Sequence, residues 1–243
     1  VFNLAQEISA KTDGAFDITV APLVNAWGFG FKKGITPDSA AIDSLRQFVG
    51  YGTVALTEGR ITKRHPQTML DCSAIAKGYA CDIVAELLRE NGCQNLLVDI
   101  GGEVVLQGVN DKGTPWRVGI TRPTIDATGA EQELQEVIAS SNLCMATSGN
   151  YLQYYIVNGE RRSHTIDPRS GYPVQHSLLS ATVSASTCMR ADALATACMV
   201  LGADKAMEMI EKTEDASCYL ILADSDSLRV ATSQRWHFGT KNR

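Results

Sequence analysis

The stretch Met189–Gly202, MRADALATACMVLG, restricts this chain more than any other. Its composition predicts a helix whose apolar side chains run nearly all the way round, and such a helix must be buried rather than laid along the surface. Asp192 nevertheless falls in its first turn. Thr196 follows at i+4, which puts both side-chain oxygens on one face. A carboxylate buried without a partner costs several kcal/mol. One arrangement satisfies it with the first-turn N–H groups and the helix dipole, the threonine bonding its own helix. Another supplies a hard cation such as Mg²⁺, which takes carboxylate, hydroxyl, carbonyl and phosphate oxygens and would need further ligands.

The whole chain has 243 residues, 44% apolar and 20% charged, as expected of a globular protein with a sizeable core. Its formal net charge of −5 argues against nucleic acid or an anionic membrane surface as partner. No apolar run is long enough to span a bilayer, and no opening stretch reads as a signal peptide. The sequence begins at Val1, already in helical periodicity. A processed or truncated piece is therefore expected, one whose export signal or lipid anchor would have been lost. Seven cysteines show no CxxC pair and read as reduced core residues. His65, His164, His176 and His237 show no HxxxH or HExxH spacing, which excludes the common zinc motifs.

Along the chain, residues 1–12 read as a helix with Phe2, Ala5 and Ile8 on one face, stopped by Asp13-Gly14. GAFDITVAPLVNAWGFG reads as strand, turned at Pro22. Thr36-Pro37 caps a helix expected to run to Val49. TVALTEGRITKR reads as a hairpin with Glu58-Gly59 at its tip. LDCSAIAKGYACDIVAELLRENG combines a strand end, Ser73 as cap, and a long helix closed by Gly92. NLLVDIGGEVVLQG is strand, double glycine, strand, and WRVGIT, LQEVIAS and LCMATS are further strands. A hairpin turning at Asn158-Gly159, a strand at LSATVSA, the apolar helix, a second helix over 203–213 and two short strands complete the chain. Interleaved helices with hairpin-linked strands imply one mixed α/β (α+β) body with largely antiparallel sheets, a single domain over 1–243.

A second candidate site lies at Asp71 and Ser73, where exposed N–H groups at a helix start favour phosphate. Lys77 would add a cation, and Gly78 room for close approach by backbone or ligand. Generic capping with a surface lysine explains these residues equally well. Two such sites in one chain suggest a metal-bridged diphosphate. The glycine pairs Gly28/Gly30 and Gly101-Gly102 suit turns as readily as ligand loops. There is no GxGxxG, Walker loop or GxSxG. His164 stands in SHTIDPRSGYP before a proline turn, close in sequence to Asp167 and Arg169.

In order and spacing, GAFDITVAPLVNAWGFG, LDCSAIAKGYACD, VDIGGEVVLQG, ATSGNYLQYY, SHTIDPRSGYPV and TCMRADALATACMVLG resemble the ApbE-type flavin transferases across essentially the whole chain. The resemblance implies a T-fold-related ApbE-like body. It also implies an enzyme that uses Mg²⁺ to move FMN from FAD onto a threonine or serine of an acceptor protein, of the redox-complex-subunit kind, releasing AMP. Some such proteins hydrolyse FAD to FMN and AMP instead, and a non-catalytic FAD-binding protein is a further alternative. By the same resemblance Asp192 and Thr196 hold the metal with the carbonyl of Ala74. The position of Ala195, acidic in some members, offers only backbone here. FAD lies against Ala15, Phe16, Asp17, Asp71, Lys77 and Ile166, and His164, with Asp167 orienting it or substituting for it, assists the transfer. The family normally has a segment ahead of Val1 and is usually exported, lipid-anchored at the periplasmic face of the inner membrane.

Overall fold

The computed structural model describes residues 1–30, 37–123, 133–150, 154–157, 160–225 and 227–238, with backbone alone at 154–157 and 160–162. In chain order the elements are α1 (Phe2–Lys11), α2 (Ala21–Ala26), α3 (Ser39–Arg46), β1 (Val54–Thr57), β2 (Arg60–Lys63), α4 (Ala76–Glu90), β3 (Leu96–Ile100), β4 (Glu103–Gln107) and β5 (Trp116–Thr121). There follow β6 (Leu134–Ser140), β7 (Asn142–Gly149), β8 (Tyr154–Val157), β9 (Glu160–Ser163), β10 (Leu178–Ser184), α5 (Cys188–Leu201), α6 (Ala203–Glu211), β11 (Ser217–Asp224) and β12 (Ser227–Thr232). Every strand pairing among the described residues is antiparallel, so the mixed α/β class read from the sequence holds. The chain divides into two compact units, Val1–Ala74 with Gln153–His176, and Ile75–Leu152 with Ser177–Arg243.

The second unit is built on a six-stranded sheet in the order β12-β11-β10-β7-β4-β3. Both sheet faces are covered, which is why EVVL of β4 is buried throughout, and apolar after its first residue, without alternation. Val104 and Leu106 point with Met145 and Ile221 toward Ile120 and Ile138 of the β5–β6 hairpin. Val105 of the next pleat packs instead with Leu96, Val98, Cys81 and Ala85, under α4. The apolar helix of the opening paragraph is α5. It touches α4, α6, β7 and β10, and ten of its fourteen residues are buried. Burial on all sides is what its sequence demanded.

In the first unit, α1 buries Ala5 and Ile8 and ends where Asp13 and Gly14 take positive φ of 50° and 72°. Leu23, Trp27, Ile42 and Ile166 form the unit's apolar cluster. Glu58 and Gly59, with φ of 50° and 75°, make the tight turn expected between β1 and β2. β8 pairs with β9 from Val157↔Glu160 onward, while Asn158 and Gly159 lie outside the described residues.

Three local expectations are corrected. GAFDITVAPLVNAWGFG forms no strand. Its β-branched residues suggested one, but the Asp17 carboxylate folds the chain back on itself by accepting from Thr19 N and Oγ1, and α2 then starts at Ala21 with Pro22 in its first turn. The helix expected to reach Val49 stops at Arg46, and Asp38 is its cap, accepting from Ala41 N at 2.8 Å. Thr36 lies outside the described residues. Residues 70–73 form no strand end before α4, and Ser73 does not cap it: the cap position is Ile75, which has no side-chain bond to offer, while the Ser73 N–H is taken by Asp71 Oδ1 at 2.8 Å.

Candidate functional site

The candidate residues fall into two groups, one in each unit. In the second unit the centre is Asp192, only 3% exposed, on the fifth residue of α5. It is not satisfied by its own helix. The first-turn N–H groups of α5 at Cys188 and Met189 go to the carboxylate of Asp82 on α4, each at 2.9 Å, and Arg190 N goes to the cap residue Thr187. Asp192 Oδ2 instead accepts from Gly78 N at 3.0 Å, one of the amides that the start of α4 leaves without a helical partner. The two helices thus cap each other: Asp82 of α4 serves α5, and Asp192 of α5 serves α4.

Gly78 makes this possible. A Cβ there would stand 2.3 Å from Cys188 O and 2.8 Å from Asp192 Cβ, so the close backbone approach foreseen for this glycine is real. Oδ1 of Asp192 accepts no hydrogen bond among the described residues, and burial pushes the carboxyl's pKa up against the pull of Gly78 N–H and Lys77. Thr196 also departs from the simpler expectation. Its hydroxyl meets Ser148 Oγ of β7 at 3.2 Å rather than its own helix. Ala195 beside it is fully buried.

Lys77 is half exposed, and its Nζ lies 2.6 Å from Oε2 of Glu103, an ion pair too poorly aligned to count as a full hydrogen bond. Glu103 opens β4 after Gly101 and Gly102, both at positive φ, and its side chain is 2% exposed. Burial raises its pKa most. Lys77 opposes the rise, and the Asp192 charge adds to it. Two buried carboxylates therefore share one ammonium, an arrangement that favours another cation. Asp192 and the paired hydroxyls of Thr196 and Ser148 offer oxygens, which suit Mg²⁺ rather than a soft metal. Among the described residues no three His, Cys, Asp or Glu side chains gather as a metal cluster. A cation here needs hydroxyl, carbonyl or substrate oxygens to complete its shell.

In the first unit Asp17 is 6% exposed, with Oδ1 accepting from Thr19 N and Oγ1 at 2.8 and 2.7 Å and Oδ2 from Tyr51 N at 2.7 Å. Burial raises its pKa while these donors lower it. With both oxygens engaged, Asp17 shapes the backbone of Ala15 and Phe16, themselves 1% and 2% exposed. A cavity of about 300 Å³ opens beside it, lined by Asp13, Arg46, Tyr51 and Arg169 among others. Asp71 is half-buried, and its N–H goes to Ile18 O at 2.7 Å, tying it to the same loop. Ala74 is also half-buried, at the unit's end. Ile166 belongs to the apolar cluster and bridges Pro173. The His164 ring stands edge-on to Phe29 at 6.3 Å between centroids. Asp167 makes no hydrogen bond to it. Its Oδ1 takes Arg169 N and Nε and its Oδ2 takes Nη2, all at 2.9 Å, a forked ion pair that closes the turn before Gly171.

Sequence reasoning missed Asp82, Glu103 and Ser148. Glu103 was the findable one, a charge set into the apolar run EVVL directly after a double glycine. Asp82 looks like any polar residue of an amphipathic helix, and Ser148 like any strand hydroxyl.

A model of the ApbE family matches residues 1–220. The FAD:protein FMN transferase of Haemophilus influenzae is 41% identical over 237 residues, covering 94% of this chain and 67% of the relative. The enzyme of that name from Escherichia coli K12 is 38% identical over 94% of this chain and 66% of its own length. The chain therefore spans about two thirds of these curated relatives. Among solved structures, the flavin transferase ApbE of Vibrio cholerae superposes with a TM-score of 0.85 at 35% identity, over 96% of this chain and 73% of that one.

Proposed function

The chain belongs to the ApbE family, and from that premise we propose that it transfers FMN from FAD to a threonine or serine hydroxyl of an acceptor protein, with Mg²⁺, releasing AMP. The observation that carries this reading is Asp192: a buried carboxylate with one oxygen held by Gly78 N–H, the other without a donor among the described residues, and the Thr196 hydroxyl one turn on. The relatives' printed name supports FAD as substrate and a protein as acceptor.

In this reading Asp192 and Thr196 would hold Mg²⁺, with the Ala74 carbonyl as the further ligand the family resemblance implies, and the ion would supply positive charge against a diphosphate. Ala195 lies mid-helix, where its carbonyl serves the α5 ladder, so its contribution is room rather than a side-chain ligand. Lys77 binds a diphosphate oxygen, and Glu103 keeps its ammonium aimed. The loop of Ala15, Phe16 and Asp17, with Asp71 and the strand backbone at Ile166, holds the rest of FAD. His164 takes the proton of the attacking hydroxyl as the new O–P bond forms at the FMN-side phosphorus and AMP leaves with the electron pair. Base assistance of this kind supplies about 10²–10⁴-fold. Most of the remaining acceleration is positioning and charge. Among the described residues no helix is long and apolar enough to cross a membrane, and anchoring at the periplasmic face remains part of the proposal.

The test follows AMP by chromatography from the chain incubated with FAD, Mg²⁺ and a threonine-bearing acceptor, with and without EDTA. AMP that EDTA abolishes and that forms only when the acceptor is present supports the reading. Absence of AMP with Mg²⁺ present overturns it.

A further inference from the structure

The geometry points to Asp82 as a positioning residue for the cation site, acting through α5 without touching the reacting atoms. The inference rests on the Mg²⁺ role proposed for Asp192 and deepens it. Asp82 stands one turn after Gly78 on α4, and its two carboxylate oxygens accept separately from Cys188 N and Met189 N at 2.9 Å. A carboxylate on two adjacent amides at a helix start fixes both the height and the rotation of that helix. Asp192 lies one turn further along α5 and answers with its own bond to Gly78 N at 3.0 Å.

The bonds from Asp82 and Asp192, with the bare Cα of Gly78 between them, make a closed frame. Asp82 fixes the start of α5, the Gly78 contact fixes the spacing of the helices, and Asp192 Oδ1 is left without a hydrogen bond among the described residues. A generic N-terminal cap needs no such partner. Thr187 already caps α5 from within, accepting from Arg190 N, so Asp82 supplies orientation beyond ordinary capping. Groups hydrogen-bonded directly to a metal ligand change metal affinity by about 10–100-fold when removed, and Asp82, acting through the first turn of α5, is expected at the low end of that range.

The test is Mg²⁺ binding to the whole chain by isothermal titration calorimetry in the presence of FAD, with the Mg²⁺ midpoint and the FAD KM for AMP release measured beside it. Asp82→Ala should weaken Mg²⁺ binding at least tenfold and raise the Mg²⁺ midpoint to match, with the FAD KM at saturating Mg²⁺ within threefold of wild type. Asp82→Asn, which keeps one acceptor, should recover part of the affinity, and it is the variant to read if Asp82→Ala does not fold. Unchanged Mg²⁺ affinity in folded Asp82→Ala, with only a lower melting temperature, would reduce Asp82 to a stabilising cap and overturn the inference. So would an Asp82→Asn variant as weak as Asp82→Ala. If the wild type itself binds no Mg²⁺, the proposed function fails first.

Discussion

Replacing Gly78 with alanine tests the helix contact on which the site depends. The added Cβ would stand 2.3 Å from Cys188 O, 2.7 Å from Cys188 C and 2.8 Å from Asp192 Cβ, and these atoms belong to or adjoin the α5 backbone. No flexible side-chain end can swing aside. To restore ordinary contact the helices must part by roughly 1 Å, and overpacking of this kind costs about 1–3 kcal/mol. The same movement stretches the 3.0 Å bond from Gly78 N to Asp192 beyond hydrogen-bond range. Losing a bond to a charged group adds about 1.5–3 kcal/mol. Alanine's better helix propensity returns about 1 kcal/mol. The net loss is therefore about 1.5–5 kcal/mol, which for a chain of this size lowers Tm by roughly 3–20 °C. Thermal unfolding by circular dichroism, with calorimetry to confirm the transition, reads it directly. A melting temperature equal to or above that of the wild type would mean propensity wins, and α4 and α5 do not approach as described.

Asp192→Asn keeps an acceptor for Gly78 N–H while removing the charge, so Mg²⁺-dependent AMP release should fall at least 100-fold with Tm changed by less than about 2 °C, since one hydrogen bond is merely weakened; full activity would refute the metal role. His164→Ala should slow transfer by about 10²-fold or more, and a rate within a few-fold of wild type would remove His164 as the base. Asp17→Asn would turn an amide donor toward Thr19 or Tyr51 N–H, and a donor without an acceptor costs about 1–3 kcal/mol, measurable by urea unfolding. Glu103 gives a pH dependence. Its raised folded-state pKa means the folded chain keeps a proton that the unfolded chain releases, so stability falls as pH climbs from the ordinary 4.5 to the raised value and is level above it. Glu103→Gln should flatten that part of the stability–pH curve; an unaltered slope would show that folding does not raise the Glu103 pKa.

What could be read from the sequence divides along the range of the forces involved. The apolar run of α5, the Glu58-Gly59 turn, the double glycine between β3 and β4 and the stop at Gly92 each encode their structure within a few residues, and all are present. The loop at Ala15–Thr19 was misread because its conformation is set by Asp17 reaching Tyr51, 34 positions away, and local β-propensity carries no trace of that bond. The α4 cap was misassigned for the same reason. Ser73 suits a cap by type, but α4 takes its cap from Asp192, 114 positions beyond Gly78. Asp192 and Thr196 were legible as a pair because a carboxylate in an apolar helix contradicts its surroundings. The Asp82 and Ser148 partners were not, since polar residues on an amphipathic helix or a strand contradict nothing until the tertiary contacts are known.

The central claim is that this chain moves FMN, and the most direct measurement is the intact mass of an acceptor protein after incubation with the chain, FAD and Mg²⁺. The account predicts one added FMN phosphoryl group, mapped by fragmentation to a threonine or serine, with AMP formed in equal amount and neither product in EDTA. AMP and free FMN with the acceptor mass unchanged would contradict transfer and leave a hydrolase. Bound FAD that is never cleaved would contradict catalysis altogether.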